Sequence, residues 1–408
     1  MSDWGFVFIA VIAAASMLLV FNWRRPVALT RTVVIHKPIS DVWRSVDHID
    51  GDLSWQQHLD LHEPGPDGES VTLSHSMKRD DGSKVGWVLQ FRIIERVAGK
   101  LIRLHRTGID GLKTDDRLLE FSIELEPRQD TTLVRLSEKW GPRSLTGFAL
   151  AHMDAAQSLA RLKSWCETAN PEPKGRQGWV SFTISVASLM ATAAAFSLLM
   201  GWEIGVIFVG LLVLHELGHL ISFRMIGQPW GKIIFMPFLG GVAVSRVPHL
   251  RLADDAFCAI MGAGLSVIAL VPAILVTMFD VGSDGFRHAA FIMAAIAGAL
   301  NLLNLLPVFP LDGGRVLRAV LQSLLPGHVR SAMFFMAVAV AAAGVIYKNP
   351  ILAAIAVVAF FQSTRLGPAR GDIVLMNGTG ALVMSVAYLA LAAAHAAALL
   401  AFWPSLVI

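Results

Sequence analysis

The stretch IGVIFVGLLVLHELGHLISFRMI, residues 204–226, decides how the chain is read. From Ile204 to Leu214 it carries no charge, and it then places His215, Glu216 and His219 within one turn of a helix. Positions i and i+4 share a helix face, so the two imidazoles of HELGH can converge on one zinc ion. Glu216 lies beside them, placed to take a proton from water on that metal. Ionisable groups inside an apolar span are costly and mark function by default. The alternative is a polar cluster buried between packed helices.

The rest of the chain agrees with a membrane setting. Of its 408 residues, 54% are hydrophobic and 16% charged, against about a quarter charged in soluble domains. The mean hydropathy is +0.58. A net charge of +3, from 34 basic and 31 acidic residues, gives no reason to expect a nucleic-acid partner. Cys166 and Cys258 stand far apart with no CxxC pair, which excludes a thiolate zinc finger and gives no sign of a disulfide scaffold.

Charge is concentrated between about residues 24 and 178, and nearly everything after Trp179 is apolar. An apolar run from Phe6 to Trp23 is long enough to span a bilayer. Asp3 before it and Arg24-Arg25 after it suit a retained anchor better than a cleaved signal. Seven further spans are expected at about 179–200, 204–226, 256–279, 288–306, 331–347, 350–363 and 380–403. Lys174, Arg176, Arg224, Lys232, Arg246, Arg251, Arg315, Arg318, Arg330, Arg365 and Arg370 all fall in loops on one side, which should be cytoplasmic. The opposite loops, near Gly201 and at Asp280–Gly285, are short and acidic.

Zinc needs a third protein ligand and an open position. The sequence from Asn304 through Pro307, Pro310 and Leu311 to Asp312-Gly313-Gly314-Arg315 offers one. Asp312 is a hard oxygen donor on a turn broken by proline and glycine, and such backbone is tolerated at membrane depth only when buried in protein or lining a cavity. Alternatively, Asp312 only caps the helix beginning near Arg315. The expected topology brings His219 and Asp312 to the cytoplasmic ends of their spans, as a shared metal requires.

The pair HExxH and NxxPxxxLDGG, in that order on separate spans, resembles the site-2 protease family of intramembrane metalloproteases over about residues 179–325. The resemblance implies Zn2+ held by His215, His219 and Asp312, with Glu216 as general base and Asn304 as a polar catalytic group near the metal. Asn301, a turn earlier, could share that face or simply bond a neighbouring helix. The family's GPxxN-like pattern is missing; the nearest stretch, Gly262-Ala263-Gly264-Leu265-Ser266, has neither its proline nor its asparagine. Between spans, Lys232–Ser245 reads as β-rich, turned by Pro237 and Gly240-Gly241. Its edge, around Gly240 and Gly241, could bind an extended substrate strand; the alternative is a loop that only packs. His395, in an alanine-rich span, reads as a packed histidine.

In the charged segment, strands are expected at Thr32–Ile35, Ser70–Met77, Val85–Arg96, Leu101–Thr107, Leu118–Leu125 and Thr132–Trp140. A short helix capped by Ser40 follows the first, and a long amphipathic helix, Leu145–Thr168, closes the segment with Phe148, Met153, Ala156, Leu159 and Leu162 on its apolar face. His36, His48, His58, His62, His75 and His105 read as mostly surface residues. With KPISDVW near its start and ARLKSWCE near its end, the segment resembles the START-like, polyketide-cyclase-like helix-grip superfamily over residues 29–169. That likeness implies a cavity for a lipid or other apolar ligand.

The expectation is a multi-span α-helical membrane protein with a site-2 protease-like core and an N-terminal α+β helix-grip domain. Its parts are an anchor (1–28), a START-like cytoplasmic domain (29–170), a linker (171–178), the catalytic membrane core (179–325) and further membrane helices (326–408). The implied function is zinc-dependent hydrolysis of peptide bonds in or near the spans of membrane-protein substrates, in a bacterial plasma membrane. The rivals are a metal or proton transporter built on the same cluster, and a catalytically silent lipid receptor.

Overall fold

The computed structural model describes residues 25–402, apart from 57, 79–83, 110–111, 114–117, 144, 171–176, 229, 237–239, 246–248, 250, 365 and 367–372. The N-terminal span expected at Phe6–Trp23 and most of the linker at Pro171–Gln177 lie outside the described residues. The chain divides into two compact units, one within Leu19–Phe182 and one within Thr183–Ile408.

The first unit is an antiparallel sheet with a long helix across it. Its strands are β1 (Arg25–Ile35), β2 (Leu59–Pro64), β3 (Ser70–Lys78), β4 (Lys84–Val97), β5 (Leu101–Ile109), β6 (Leu112–Lys113), β7 (Leu118–Arg128) and β8 (Thr131–Arg143). They order β1-β8-β7-β5-β4-β3-β2, with β6 paired to β5. Alternation sets the faces: Ile102 and Leu104, Ile123 and Leu125, and Val134 and Leu136 all turn inward. Against them pack Ala151, Ala155, Leu159 and Leu162 of helix α2 (Leu145–Thr168). Leu159 and Leu162 are on the expected face, whereas Met153 and Ala156 are only half-buried, so the helix is rotated from the position its own pattern suggests. This sheet and closing helix are the helix-grip arrangement expected.

The short helix α1 spans Ile39–Val46, and its N-cap is Pro38, with no side-chain capping bond. Ser40 therefore sits inside the first turn rather than capping it. Beyond α1, Arg96 forks onto Asp47 at 2.9 and 2.6 Å, tying the helix end to β4. Burial opposes ionisation of Asp47, but this fork holds its carboxyl below the usual range. At the other end of the sheet, Lys163 donates to the Val34 carbonyl at 2.9 Å and Glu167 accepts from the His36 N–H at 2.8 Å. These two side chains of α2 satisfy a carbonyl of β1 and the N–H of the residue just beyond it.

The second unit is helical: α3 (Gln177–Met200), α4 (Trp202–Met225), α5 (Leu252–Met278), α6 (Asp284–Asn304), α7 (Asp312–Leu324), α8 (Val329–Ile346), α9 (Pro350–Ser363) and α10 (Gly378–Phe402). A hairpin of β9 (Lys232–Met236) and β10 (Gly240–Val244) follows α4. Helices thus stand at all seven expected positions. Among the described residues, five are long and apolar enough to cross a bilayer: Trp202–Met225, Leu252–Met278, Asp284–Asn304, Pro326–Ile346 and Gly378–Phe402. Pro350–Ser363 and Val186–Met200 are shorter apolar helices. The former, capped by Asn349, folds back on α8 as a tight hairpin, with Gly344 facing the backbone of Ala353.

Two histidines of the sheet unit depart from the surface reading. His48 is fully enclosed, its Nδ1 donating to the Val46 carbonyl at 2.8 Å, and His75 is buried and stacked on Trp87 at 5.4 Å. Burial pushes each imidazole down from 6.5 to about 4. The unfolded chain takes up those protons near pH 6.5, so their neutral burial costs nothing above that pH. Stability is then lost as pH falls from 6.5 toward 4, by roughly 3 kcal/mol at most for each histidine. In detergent-solubilised full-length protein, thermal unfolding of this unit, followed by tryptophan fluorescence, should shift to lower temperature between pH 7 and pH 5. His48→Gln should flatten that dependence; an unchanged slope would mean that this ring does not set it.

Candidate metal centre

Helix α4 carries His215, Glu216 and His219 on its buried side. The fragment from Leu305 to Leu311 follows α6 and delivers Asp312 as the first residue of α7, with Leu311 at the N-cap and no side-chain cap. Asp312 Oδ2 lies 3.1 Å from His215 Nε2 and 3.3 Å from His219 Nε2, and the two Nε2 atoms are 3.2 Å apart. Capping is therefore not what orients this carboxylate; it faces the two rings.

Proton placement tests whether a metal fits. His219 Nδ1 is 2.7 Å from the Cys258 carbonyl, which can only accept, so the ring proton is on Nδ1. His215 Nδ1 is 2.8 Å from Asn301 Oδ1, and the amide of Asn301 donates its own N–H to the Ala297 carbonyl at 2.9 Å. That fixes the asparagine's orientation and again puts the ring proton on Nδ1. Each Nε2 is then a bare lone pair, and the third group is a carboxylate. Three acceptors facing one another in a buried site have no proton to share and call for a cation. Tetrahedral zinc with bonds of 2.0–2.1 Å sets its ligand atoms about 3.3–3.4 Å apart, close to the three separations found. His215, His219 and Asp312 are the one such cluster among the described residues.

Glycines let the backbone reach this centre. A Cβ on Gly262 of α5 would stand 2.6 Å from His215 Nε2 and 2.7 Å from His219 Nε2. Gly218 meets the Met261 carbonyl, so α4 and α5 touch main chain to main chain. The stretch that departs from the family pattern is thus built around close approach, a need that composition alone did not reveal. Gly313 packs on the carbonyls of Leu305 and Leu306, and Gly314 on Val308–Phe309, which seats the Asp312 turn. Arg315 reaches Asp255 of α5 at 2.7 Å and stands 3.6 Å from Asp312 Oδ1, the oxygen other than the one that meets the rings.

Glu216 is buried, and its Oε2 has no hydrogen-bond partner among the described residues. The hairpin covers it: a Cβ on Gly241 would lie 2.7 Å from Glu216 Cγ, and the backbone of Ala243 is within hydrogen-bond reach of the carboxylate. Gly240, at φ +101, makes the left-handed entry into β10; Pro237 lies outside the described residues. Asn304 donates to the Leu300 carbonyl at 3.1 Å, a bond within its own helix. The asparagine that touches a metal-site histidine is Asn301, fully buried and one turn earlier. Its three-residue offset from Asn304 was the available signal.

A buried two-histidine, one-carboxylate site on apolar helices defines the class: a metal-dependent membrane protein. Comparison with known proteins narrows it. The model of Peptidase family M50, the site-2 protease family, matches residues 273–344. A zinc metalloprotease of Methanocaldococcus jannaschii is 36% identical over 115 residues, 27% of this chain and 32% of that protein. A zinc-metalloprotease homologue of Mycobacterium tuberculosis, Rip3, is 30% identical over 151 residues, 34% of this chain and 37% of that protein. The chain therefore spans about a third of the length of these curated relatives. A solved START superfamily protein of Mycobacterium smegmatis is 14% identical, covering 33% of this chain and 92% of that one at TM-score 0.26. So low a score leaves the fold of the sheet unit to be judged on its own strands and helix. The site-2 protease likeness read from the motifs agrees with these matches, and the relatives' names are those of zinc metalloproteases.

Gly262→Ala tests the close approach of α5. Its methyl group would sit against both Nε2 atoms, so purified variant protein should lose zinc at least tenfold more readily in chelator competition, with helical content unchanged. Wild-type affinity in that variant would show that α5 stands further back.

Proposed function

We propose that this chain is an intramembrane zinc metalloprotease that cuts peptide bonds in or near the spans of membrane-protein substrates. The observation that carries the reading is the convergence of His215 Nε2, His219 Nε2 and Asp312 Oδ2 beside the unpartnered Glu216 Oε2. His215, His219 and Asp312 would hold the zinc, which supplies Lewis acidity to a scissile carbonyl and acidifies water. Glu216 is the general base: its free oxygen takes a proton from the attacking water and later passes it to the leaving amine. Asn301 accepts the Nδ1–H of His215 and so orients that ring; Asn304, expected from the motif as a polar catalytic group near the metal, bonds the Leu300 carbonyl of its own helix.

Cleavage requires an extended peptide, since a helix hides its carbonyls. Among the described residues the β9–β10 hairpin is a two-stranded sheet, so each strand has an edge without a strand partner there. We place the substrate strand along this hairpin, near Gly240 and Gly241. Gly241 itself packs on Glu216, which would bring a bound strand close to the base.

The basic residues of the loops support a reading in which the active site and the START-like domain face the cytoplasm across a bacterial plasma membrane. Substrates with one or few spans suit this topology. The helix-grip unit is read as a cytoplasmic ligand-sensing or substrate-docking module for an apolar molecule.

The decisive comparison is wild type against Glu216→Gln, purified in detergent or lipid and given a panel of single-span substrates, with zinc quantified in both. Cleavage should fall by about 10²–10⁴-fold while zinc is retained, whereas Asp312→Ala should lose the zinc itself. Cleavage by Glu216→Gln at the wild-type rate would remove the general-base mechanism. Metal or proton flux through reconstituted wild type, without cleavage of any substrate, would favour the transporter.

A further inference from the structure

The last helix, α10, contains neither motif, yet it puts two polar side chains seven positions apart, and so on one face. Both are spent on main-chain carbonyls immediately behind the metal centre. Tyr388 donates its hydroxyl to the Leu305 carbonyl at 2.6 Å. That carbonyl is the group on which Gly313 rests, next to Asp312. His395, with no exposure at all, lies 3.1 Å through Nε2 from the Ala263 carbonyl. A carbonyl can only accept, so Nε2 carries the proton. Ala263 follows Gly262, whose α-carbon faces both metal-site imidazoles.

A second contact locks α10 to α6. A Cβ on Gly298 would stand 2.8 Å from Leu399 N and 3.0 Å from the His395 carbonyl oxygen, so the two helices meet backbone to backbone. Gly298 follows Ala297, whose carbonyl holds the amide of Asn301, and Asn301 holds His215. Each path from α10 to a metal-site residue is short and runs through hydrogen bonds and main chain. Nδ1 of His395 is buried with no hydrogen-bond partner among the described residues, so Nε2 makes its anchoring bond. A half-satisfied imidazole buried among alanines costs free energy, and packing alone would be served by leucine.

We infer that Tyr388 and His395 are positioning residues for the metal centre, holding from outside both motifs the backbone on which Asp312 and the two histidines depend. Tyr388 braces the Asp312 turn, and His395 braces α5 at the point where it touches the rings. The inference rests on the metal-site reading above.

The test uses full-length protein stripped of metal and reloaded, with two readouts: zinc affinity by chelator competition, and the visible ligand-field bands of the Co2+ form. Tyr388→Phe and His395→Leu should each weaken zinc by about tenfold, the low end of the range for direct partners of metal ligands because each acts one step further out, and shift the Co2+ bands, with helical content retained. His395→Gln, which keeps an N–H at similar reach, should recover most of the loss. Affinity within twofold of wild type and unchanged Co2+ bands in both deletions would overturn the inference. A loss in His395→Leu that glutamine does not recover would reduce His395 to packing and overturn its part. Should His395→Leu fail to fold, near-isosteric Tyr388→Phe decides alone. Wild-type protein that binds neither metal would instead defeat the metal site itself, a distinguishable result.

Discussion

Two hydrogen bonds decide what this site can be: His215 Nδ1–H to Asn301, and His219 Nδ1–H to the Cys258 carbonyl. Each commits one ring nitrogen to donation and leaves the other as a lone pair. Without them, either imidazole could turn an N–H toward Asp312, and the three groups would form an ordinary hydrogen-bonded cluster. With them, two lone pairs and a carboxylate meet in a buried pocket where only a cation reconciles them. The bonds come from different helices, Asn301 from α6 and Cys258 from α5. Metal competence is therefore a property of how α4, α5 and α6 pack, and not of HELGH alone.

The packing that makes this possible is unusually close. Gly218 against Met261, Gly262 against both rings, and Gly313 and Gly314 against the preceding turn all replace side chains with main chain. In an apolar surrounding there is little hydrophobic gain in pressing helices together, and small residues let dispersion and polar backbone contacts do so instead. Arg315 and Asp255 add a charged link between α7 and α5.

Much of this was legible in the residues. HELGH and LDGG were legible as parts of a candidate metal site because ligand types and spacing are local properties. The strands from Ser70 to Trp140 showed through alternation, and the apolar runs located the helices. What escaped depended on partners remote in sequence. Strand β2, LDLHEP, has little β-branched character and is held by pairing with β3. The burial of His48 and His75 follows from neighbours across the sheet, not from the residues flanking them. Asn301, outside the motif, reaches His215 because its place on α6 faces α4, a matter of packing between helices remote in sequence. Gly262 was visible as a glycine but not as the wall of a metal site, since its role is defined by helix α4.

The groups that support the ligands from behind are largely carbonyl oxygens: Cys258, Ala263, Ala297 and Leu305. Every amino acid supplies such an oxygen, so the residues at these four positions can drift while the support persists, provided the backbone path is kept. Divergence is then constrained by helix trajectory and by a few glycines more than by side-chain identity. Two chains could share this architecture while retaining little in common beyond their ligands, and homology would be easier to recognise in the path of the backbone than in its letters.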